Sequence, residues 1–265
     1  MDFIEKIKGF FFRLRLFAVE GCHAAFCASL AFENCACCGK RTVRMPVCKG
    51  CAEKFLLSFV PPGSGRCLLC GKILLSGKGL CSSCREKRVL WHADSVFPLW
   101  QYRLWFKGLL FEWKMNANRS LSPLFALCVD MAIDFLFPGR PRGSVVLVPV
   151  PPRPGKIREK GWDQIDDLCK ILHFCYGRSV CRLIRRLSSV QQKKQDREHR
   201  LLLGASSYKA DGKAVKRLAK SASLPQEAVL LDDVMTTGAT VDACSAVLKG
   251  EGIRKVQVIT LLIVD

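Results

Sequence analysis

The chain has 265 residues, of which 49% are hydrophobic, so it can bury one good-sized core and a smaller module. Lysine and arginine number 42 against 23 aspartate and glutamate, which gives a formal net charge of +19. This composition excludes a disordered chain. The basic excess favours a polyanionic partner such as nucleic acid, a phosphorylated ligand or an acidic membrane surface, without choosing among them.

Residues 3–32 are predicted to form a helix, because apolar residues recur there at helical spacing. Packing of its apolar face on the rest of the protein is one interpretation, and binding to a membrane surface is the other. Arg13 and Arg15 interrupt the apolar stretch, which argues against a secretion signal. No run approaches the roughly 20 apolar residues of a membrane span, so we expect a cytoplasmic protein.

Eight of the sixteen cysteines form CxxC pairs between residues 35 and 84. The two thiolates of such a pair point the same way, and two pairs complete a tetrahedral zinc site. We predict two structural zinc sites, with Cys35, Cys38, Cys48 and Cys51 as ligands of one, and Cys67, Cys70, Cys81 and Cys84 as ligands of the other. Free thiols in a core, and a cross-braced pairing of the first CxxC with the third, are the alternatives.

The two cysteine groups read as a repeated unit. Nine residues separate Cys38 from Cys48 and ten separate Cys70 from Cys81, and Gly-Lys follows Cys38 and Cys70 alike. This repetition favours a double zinc ribbon over the cross-braced arrangement. We therefore divide the chain into an N-terminal helical segment (1–34), a double zinc ribbon (35–92) and a larger domain (93–265).

The larger domain alternates apolar strands with helices. The stretches "SVVLVPVP", "EAVLLDDV" and "KVQVITLLIV" are predicted strands, and helices are predicted over residues 124–137, 162–172 and 240–250. Such alternation is typical of an α/β fold with a parallel sheet covered on both faces. Ligands of these folds bind at the carboxyl ends of the strands.

Two adjacent acids, Asp232 and Asp233, stand where the second of these strands ends. The next residues, 236–240, supply hydroxyls, backbone N–H groups and a helix N-terminus, which suit a phosphate. A ribose 5-phosphate satisfies both features, since its hydroxyls can donate to the carboxylates. The predicted ligand contacts are Asp232, Asp233, Thr236, Thr237, Gly238, Ala239 and Thr240. Acids that merely cap the helix are the alternative, which explains one carboxylate but not two.

The sequence D-D-V-x-T-T-G-x-T after an apolar run resembles the phosphoribosyl pyrophosphate loop of type I phosphoribosyltransferases. Together with the cysteine-rich module, the chain from about residue 35 resembles the ComF family, also called competence protein F or GntX-like. Residues 148–151, "VPVP", match that family, and residues 160–164, "KGWDQ", are similar to its Arg-Gly-Phe-Asn-Gln sequence with three substitutions. The resemblance implies a type I phosphoribosyltransferase-like fold and a link to DNA uptake or DNA handling in bacteria.

Three functions are compatible with these features. In the first, the protein binds phosphoribosyl pyrophosphate, or a ribose 5-phosphate ligand, and serves DNA uptake or DNA processing, with single-stranded DNA or DNA-uptake proteins as partners. Alternatively, it is an active phosphoribosyltransferase, in which Mg²⁺ bridges the pyrophosphate and Lys156, Arg158 and Lys160 neutralise that group. In the third, it is a nucleic-acid-binding scaffold with a relic pocket. The sequence identifies no catalytic residue, and no residue that selects a base.

Residues 182–200 carry seven lysines or arginines and only two acids. A solvated charged helix and a loop over the ligand site are both compatible with this segment. Because basic residues recur between 153 and 160, a continuous positive strip that tracks a nucleic acid backbone is a further expectation.

Overall fold

The computed structural model describes residues 34–42, 46–57, 65–74, 79–88, 90–102, 104–187, 207–221 and 224–264. The predicted N-terminal helix and residues 188–200 of the basic segment lie outside these ranges. The chain divides into two compact units. One comprises Met1–Val60 and Leu104–Leu121, and the other comprises Pro61–Arg103 and Ser122–Asp265.

The described helices are α1 (Lys49–Leu57), α2 (Ser82–Glu86), α3 (Leu104–Lys114), α4 (Ser122–Leu136), α5 (Lys156–Lys160), α6 (Gln164–Tyr176), α7 (Gly212–Ser221) and α8 (Ala239–Gly250). The described strands are β1 (Ser95–Gln101), β2 (Val146–Pro149), β3 (Ser179–Val180), β4 (Ile184–Arg186), β5 (Tyr208–Ala210), β6 (Glu227–Met235) and β7 (Lys255–Ile263). A 3₁₀ turn over Arg119–Leu121 follows α3.

The first unit contains the first cysteine group, α1 and α3. Helix α1 begins directly after Cys48, so the second CxxC pair of that group lies at its start. Within α3, Leu109 and Trp113 are buried while Phe111 is exposed, as expected for an amphipathic helix.

The second unit is built on a five-stranded parallel sheet in the order β1-β7-β6-β2-β3. Its central strands are mostly apolar and buried, as expected for a parallel sheet covered on both faces. Strand β6 pairs with β7 from Glu227↔Lys255 to Met235↔Ile263, whereas its pairing with β2 ends at Pro149↔Leu231. The last four residues of β6 therefore extend beyond β2.

The two faces of the sheet have different covers. Helices α4 and α6 pack together on one face, and α8 packs on the other together with the antiparallel pair β4-β5. A buried ion pair, Arg178 Nε to Asp130 Oδ1 at 2.6 Å, ties α4 to the residue that precedes β3. The charge on Asp130 is thus paired where it leaves water.

The predicted α/β fold with a parallel sheet is confirmed. The three predicted strands and three predicted helices are present, and the sheet has two further strands, β1 and β3, that the sequence analysis did not assign. The proposed domain boundary near residue 92 stays a prediction, although residues 61–103 belong to the same compact unit as the sheet. None of the helices in the described ranges has the length and apolar composition that a bilayer crossing requires.

Candidate functional site

The first cysteine group closes around one point. The sulfurs of Cys35, Cys38, Cys48 and Cys51 all lie within 4.8 Å of one another. The loop between the first two ligands is held by Gly39, which has a φ of 72° and donates its N–H to the Cys35 carbonyl at 2.9 Å. The backbone N–H of Cys48 donates to Cys35 Sγ at 3.2 Å.

The second group repeats this geometry. The sulfurs of Cys67, Cys70, Cys81 and Cys84 again lie within 4.8 Å of one another. Gly71, with a φ of 73°, donates to the Cys67 carbonyl at 3.0 Å, and the N–H of Cys81 donates to Cys67 Sγ at 3.3 Å. The predicted repeat is therefore a repeat in three dimensions, and the ligands group within each half rather than across the halves.

Both tetrads fit a zinc ion. With Zn–S bonds of about 2.3 Å in tetrahedral geometry, neighbouring sulfurs lie roughly 3.8 Å apart. Cys38 Sγ and Cys48 Sγ are 3.6 Å apart, and Cys70 Sγ and Cys81 Sγ are 3.7 Å apart. A four-sulfur site leaves no position for a reactive water, so these centres suit a structural ion.

Local hydrogen bonds prepare one thiol of each tetrad to ionise. Burial raises the pKa of Cys35, but N–H donation from Cys48 and Cys37 outweighs it and lowers the pKa to about 6. The same balance of burial against backbone donors lowers the pKa of Cys67 to about 7. Thiolate is the form that binds metal, so the backbone donors favour the metal-binding form of these two cysteines.

The second cysteine group is anchored to β1. Arg66 Nη1 donates to the carbonyls of Gly71 at 2.8 Å and Pro98 at 2.9 Å, and its guanidinium lies 4.6 Å from the centre of the Phe97 ring. At Gly71 the two segments approach so closely that a Cβ would lie 2.2 Å from the Val96 carbonyl oxygen. Only glycine fits there, which explains the glycine of the Gly-Lys pair in the second cysteine group.

The sheet has its topological switch point between β2 and β6. From β2 the chain passes through α6 to β3 on one side, and from β6 it passes through α8 to β7 on the other. In open α/β sheets, ligands bind at the carboxyl ends of strands at such a point. Residues 151–163, which follow β2, and residues 236–240, which follow β6, are the two segments at this edge.

Asp232 and Asp233 lie inside the last part of β6 rather than after it, because the strand continues to Met235. Successive strand residues point to opposite faces, so the two carboxylates lie on opposite sides of the sheet. Asp233 is buried and Asp232 is half-buried. The expectation that both serve one ligand therefore requires the ligand to straddle the strand end, and it stays a prediction.

Asp233 belongs to a network on the α6 face. Gln164 Nε2 donates to Asp233 Oδ2, and Gln164 Oε1 accepts from Lys156 Nζ. Lys156 Nζ also donates to Asp163 Oδ2 at 2.6 Å, and Asp163 caps α6 by accepting from the N–H groups of Ile165 and Asp166. The "KGWDQ" stretch is thus linked to the acid pair through its last two residues.

Asp232 lies on the α8 face. Burial raises the pKa of Cys244 in α8, and the negative charge of Asp232 raises it further. Burial also raises the pKa of Tyr208 in β5, a hydrogen bond with Thr240 opposes that rise, and Asp232 again adds to it. Asp232 is therefore near both the start of α8 and the β4-β5 pair.

The loop before α8 presents the features expected of an anion site. Thr236, Thr237, Ala239 and Thr240 are exposed, and Gly238 precedes α8 with a φ of 88° and no side-chain cap. The N-cap residue itself therefore supplies no side-chain acceptor to the backbone N–H groups of the first turn. Thr237 Oγ1 accepts from the Ala239 N–H at 3.4 Å.

The three cations predicted to bind pyrophosphate differ in their surroundings. Lys156 is largely enclosed and pairs with Asp163, whereas Arg158 and Lys160 on α5 are exposed. Asp163, the aspartate of "KGWDQ", therefore already accepts hydrogen bonds from the first turn of α6 and from Lys156.

The sequence analysis missed the residues that join the second cysteine group to this loop. Leu90 contacts the position of Gly238, and Asp242 accepts from residues 91–93. An acid in the first turn of α8 was a visible signal, but its partners are about 150 positions away in the sequence, and no local pattern identifies them. Arg66 was missed for the same reason.

No protein-family model matches the chain, and a search of curated proteins gives no significant match.

Proposed function

We propose that this is a ComF-family protein that binds phosphoribosyl pyrophosphate, or a related ribose 5-phosphate ligand, and acts in bacterial DNA uptake or processing. The observation that carries the proposal is the loop 236–240, which places exposed hydroxyls and an uncapped helix N-terminus at the switch point of the sheet. The 5-phosphate binds this loop, and the ribose hydroxyls donate to Asp232 and Asp233.

The double zinc ribbon supports the same family. The two tetrads occupy matching positions in a repeated loop, and both precede the parallel sheet in the chain. A sugar-phosphate loop combined with such a ribbon is the combination on which the resemblance to the ComF family rests.

The pyrophosphate of the ligand would bind the exposed cations that follow β2, and Mg²⁺ would neutralise part of its remaining charge. Arg158 and Lys160 are the side chains placed to meet it, because Lys156 is already neutralised by Asp163. The proposed ligand therefore spans from the loop before α8 to the segment that contains α5.

Calorimetry with phosphoribosyl pyrophosphate and Mg²⁺ tests the site directly. We expect saturable binding to the wild-type protein and none to the D232N/D233N double variant, whose circular dichroism remains native. A double variant with the same change of charge at sites away from the loop, E86Q/E251Q, is the control and binds normally. Equal affinity of wild type and D232N/D233N refutes the ligand role of the acids.

A second variant separates the phosphate contact from the ribose contact. Thr237→Val removes a hydroxyl but keeps the size of the side chain, so it weakens binding of ribose 5-phosphate and of inorganic phosphate alike. Loss of ribose 5-phosphate binding alone contradicts the phosphate assignment of the loop.

An active phosphoribosyltransferase is distinguished by turnover. Release of pyrophosphate in the presence of a nitrogen acceptor identifies an enzyme, and binding without release identifies a ligand-binding protein. Binding of DNA without any sugar-phosphate binding supports the scaffold with a relic pocket.

A further inference from the structure

Residues 90–93, here called the connector, join the second cysteine group to the helix that follows the phosphate loop. The connector begins six residues after Cys84, the last ligand of the second tetrad. It runs directly to β1, and two of its members, Leu90 and Ala93, are buried. All of these residues belong to the same compact unit as the sheet and α8.

The connector binds one carboxylate of α8 with four donors. Asp242 Oδ1 accepts from the N–H groups of Trp91 at 2.7 Å, His92 at 2.7 Å and Ala93 at 3.2 Å. Asp242 Oδ2 lies 2.9 Å from His92 Nδ1. Three consecutive N–H groups on one oxygen fix both the connector and the first turn of α8.

The connector also contacts the phosphate loop itself. A Cβ built on Gly238 would lie 2.8 Å from Leu90 Cδ2. Gly238 is the residue in which the loop turns into α8, so Leu90 packs directly against the site of the turn. A shift of Leu90 therefore removes the packing partner of the loop at its most constrained residue.

The other side of the connector is continuous with the metal site. Cys67 and Cys70 share one buried cluster with Leu90, Ala93, Val241 and Cys244. Packed interiors transmit displacement because they have few voids in which a shift could be absorbed. A change in the position of the cysteine loop thus reaches α8 through contacts that are all present in the structure.

We infer that metal occupancy of the second tetrad sets the affinity of the phosphate loop for its ligand. Zinc holds Cys67 and Cys70 together with Cys81 and Cys84, and folding around such closed sites depends on the bound ion. Without zinc, the connector loses its packing against the cysteine loop, and Asp242 and Gly238 lose their contacts with the connector. Part of the free energy of ligand binding is then used to order the loop, so the ligand binds more weakly. This inference rests on the proposed sugar-phosphate site for the identity of the ligand.

The coupling is reciprocal. If zinc at the second site increases ligand affinity by a given factor, the ligand increases the affinity of that site for zinc by the same factor. The first tetrad lies in the other compact unit, and none of the contacts described above involves it. It therefore supplies a matched comparison within the same chain.

Two serine variants of the full chain test the inference. Cys84→Ser removes a ligand of the second site, and Cys51→Ser removes a ligand of the first. Each is expected to lose about one zinc ion. In calorimetry with phosphoribosyl pyrophosphate and Mg²⁺, C84S binds at least about tenfold more weakly than wild type, in the usual range of coupling between sites, and C51S binds like wild type. Equal affinity of C84S and wild type overturns the inference.

Asp242→Asn tests the inference even if the C84S variant unfolds. This variant breaks the connection while leaving all eight cysteines in place, so it keeps two zinc ions and still binds the ligand more weakly. Asp242 has no proposed contact with the ligand. If D242N keeps both zinc ions and full affinity, the connector does not transmit the effect.

Amide hydrogen exchange without ligand separates this inference from the proposed function. Residues 236–242 exchange faster in C84S and D242N than in wild type or C51S, whatever ligand the loop binds. If the wild-type protein does not bind phosphoribosyl pyrophosphate, the proposed function fails, while this exchange pattern still decides the coupling. Unchanged exchange over residues 236–242 in C84S refutes the coupling even when the wild type binds the ligand.

Discussion

At the scale of single residues, Asp242 shows how backbone donors hold a buried carboxylate in its ionised form. Burial alone would raise its pKa, but hydrogen bonds from the His92 side chain and from the N–H groups of residues 91–93 lower the pKa below its ordinary value of 3.8. A lowered pKa in the folded protein means that the ionised carboxylate stabilises the fold. This contribution is present above the unfolded pKa and is lost as the pH falls through the folded pKa.

Asp242→Asn is therefore expected to lower the free energy of unfolding by about 1–3 kcal/mol at neutral pH, the cost of leaving buried donors without a charged acceptor. Because protonation of Asp242 has the same effect in the wild type, the difference between the two proteins shrinks as the pH falls below 3.8. Urea unfolding at a series of pH values measures it. A difference that grows towards low pH would show that the carboxylate does not act through its charge.

At the scale of elements, the start of α8 combines a backbone constraint with a packing constraint. Gly238 has a φ of 88°, and a Cβ there would lie 2.8 Å from Leu90 Cδ2. Gly238→Ala is expected to destabilise the protein by about 1–2 kcal/mol from the left-handed backbone alone, with a further cost from the contact. Gly250→Ala, at the other end of α8, meets no atom within 4 Å and is the control that is not expected to destabilise the protein.

A double-mutant cycle separates the two costs. In a Leu90→Ala background the contact is absent, so Gly238→Ala retains only the backbone penalty and its destabilisation becomes smaller. Chemical unfolding of the four proteins gives the coupling energy. A penalty of equal size in both backgrounds would mean that Leu90 does not pack on the loop.

The cysteine elements give a prediction of composition. We expect about two zinc ions per chain, one per tetrad, because each set of four sulfurs has the spacing of a closed tetrahedral site. Elemental analysis of protein purified without chelator measures the number. One zinc per chain in the wild type would show that only one of the two tetrads binds the ion.

The elements that the sequence predicted correctly carry strong local signals. The alternating apolar strands and the CxxC spacing depend on residues close together in the chain, and β2, β6, β7, α4, α6, α8 and both tetrads are found near the predicted positions. Strand β1 was missed because Pro98, which has no N–H for a sheet hydrogen bond, argues against a strand, although an edge strand tolerates it.

The connections between elements could not be predicted. The contact between Asp242 and residues 91–93, and the one between Gln164 and Asp233, join segments far apart in the sequence. The opposite orientation of Asp232 and Asp233 was predictable from strand alternation, because the predicted strand "EAVLLDDV" already contains both acids. The pattern of two adjacent acids before a hydroxyl-rich turn suggested instead that both serve one ligand.

At the scale of the whole molecule, which has a net charge of +19, some of the cations expected to contact nucleic acid are already paired with acids. Of the four basic residues between 153 and 160, Arg153 pairs with Glu159 and Lys156 pairs with Asp163. Arg158 and Lys160 are exposed, as are Arg185 and Arg186 on β4. Arg182 of the basic segment pairs with Asp166. The predicted strip for nucleic acid is thus reduced to these four cations within the described residues, because Lys193, Lys194, Arg197 and Arg200 lie outside them.

Binding of single-stranded DNA tests whether these four cations form one surface. Backbone binding releases counterions, so affinity falls with salt by a slope of about 0.7 per phosphate contacted on a single strand. Replacing Arg158, Lys160, Arg185 and Arg186 with Gln is therefore expected to weaken binding of a fluorescent oligonucleotide and to reduce the slope by up to about 3. Helix α7 provides a charge-matched control, in which Lys213, Lys216, Arg217 and Lys220, all exposed, are changed to Gln. An equal loss in both variants would show that DNA responds to total charge rather than to this surface, and unchanged affinity in the first variant would exclude these cations from the DNA site.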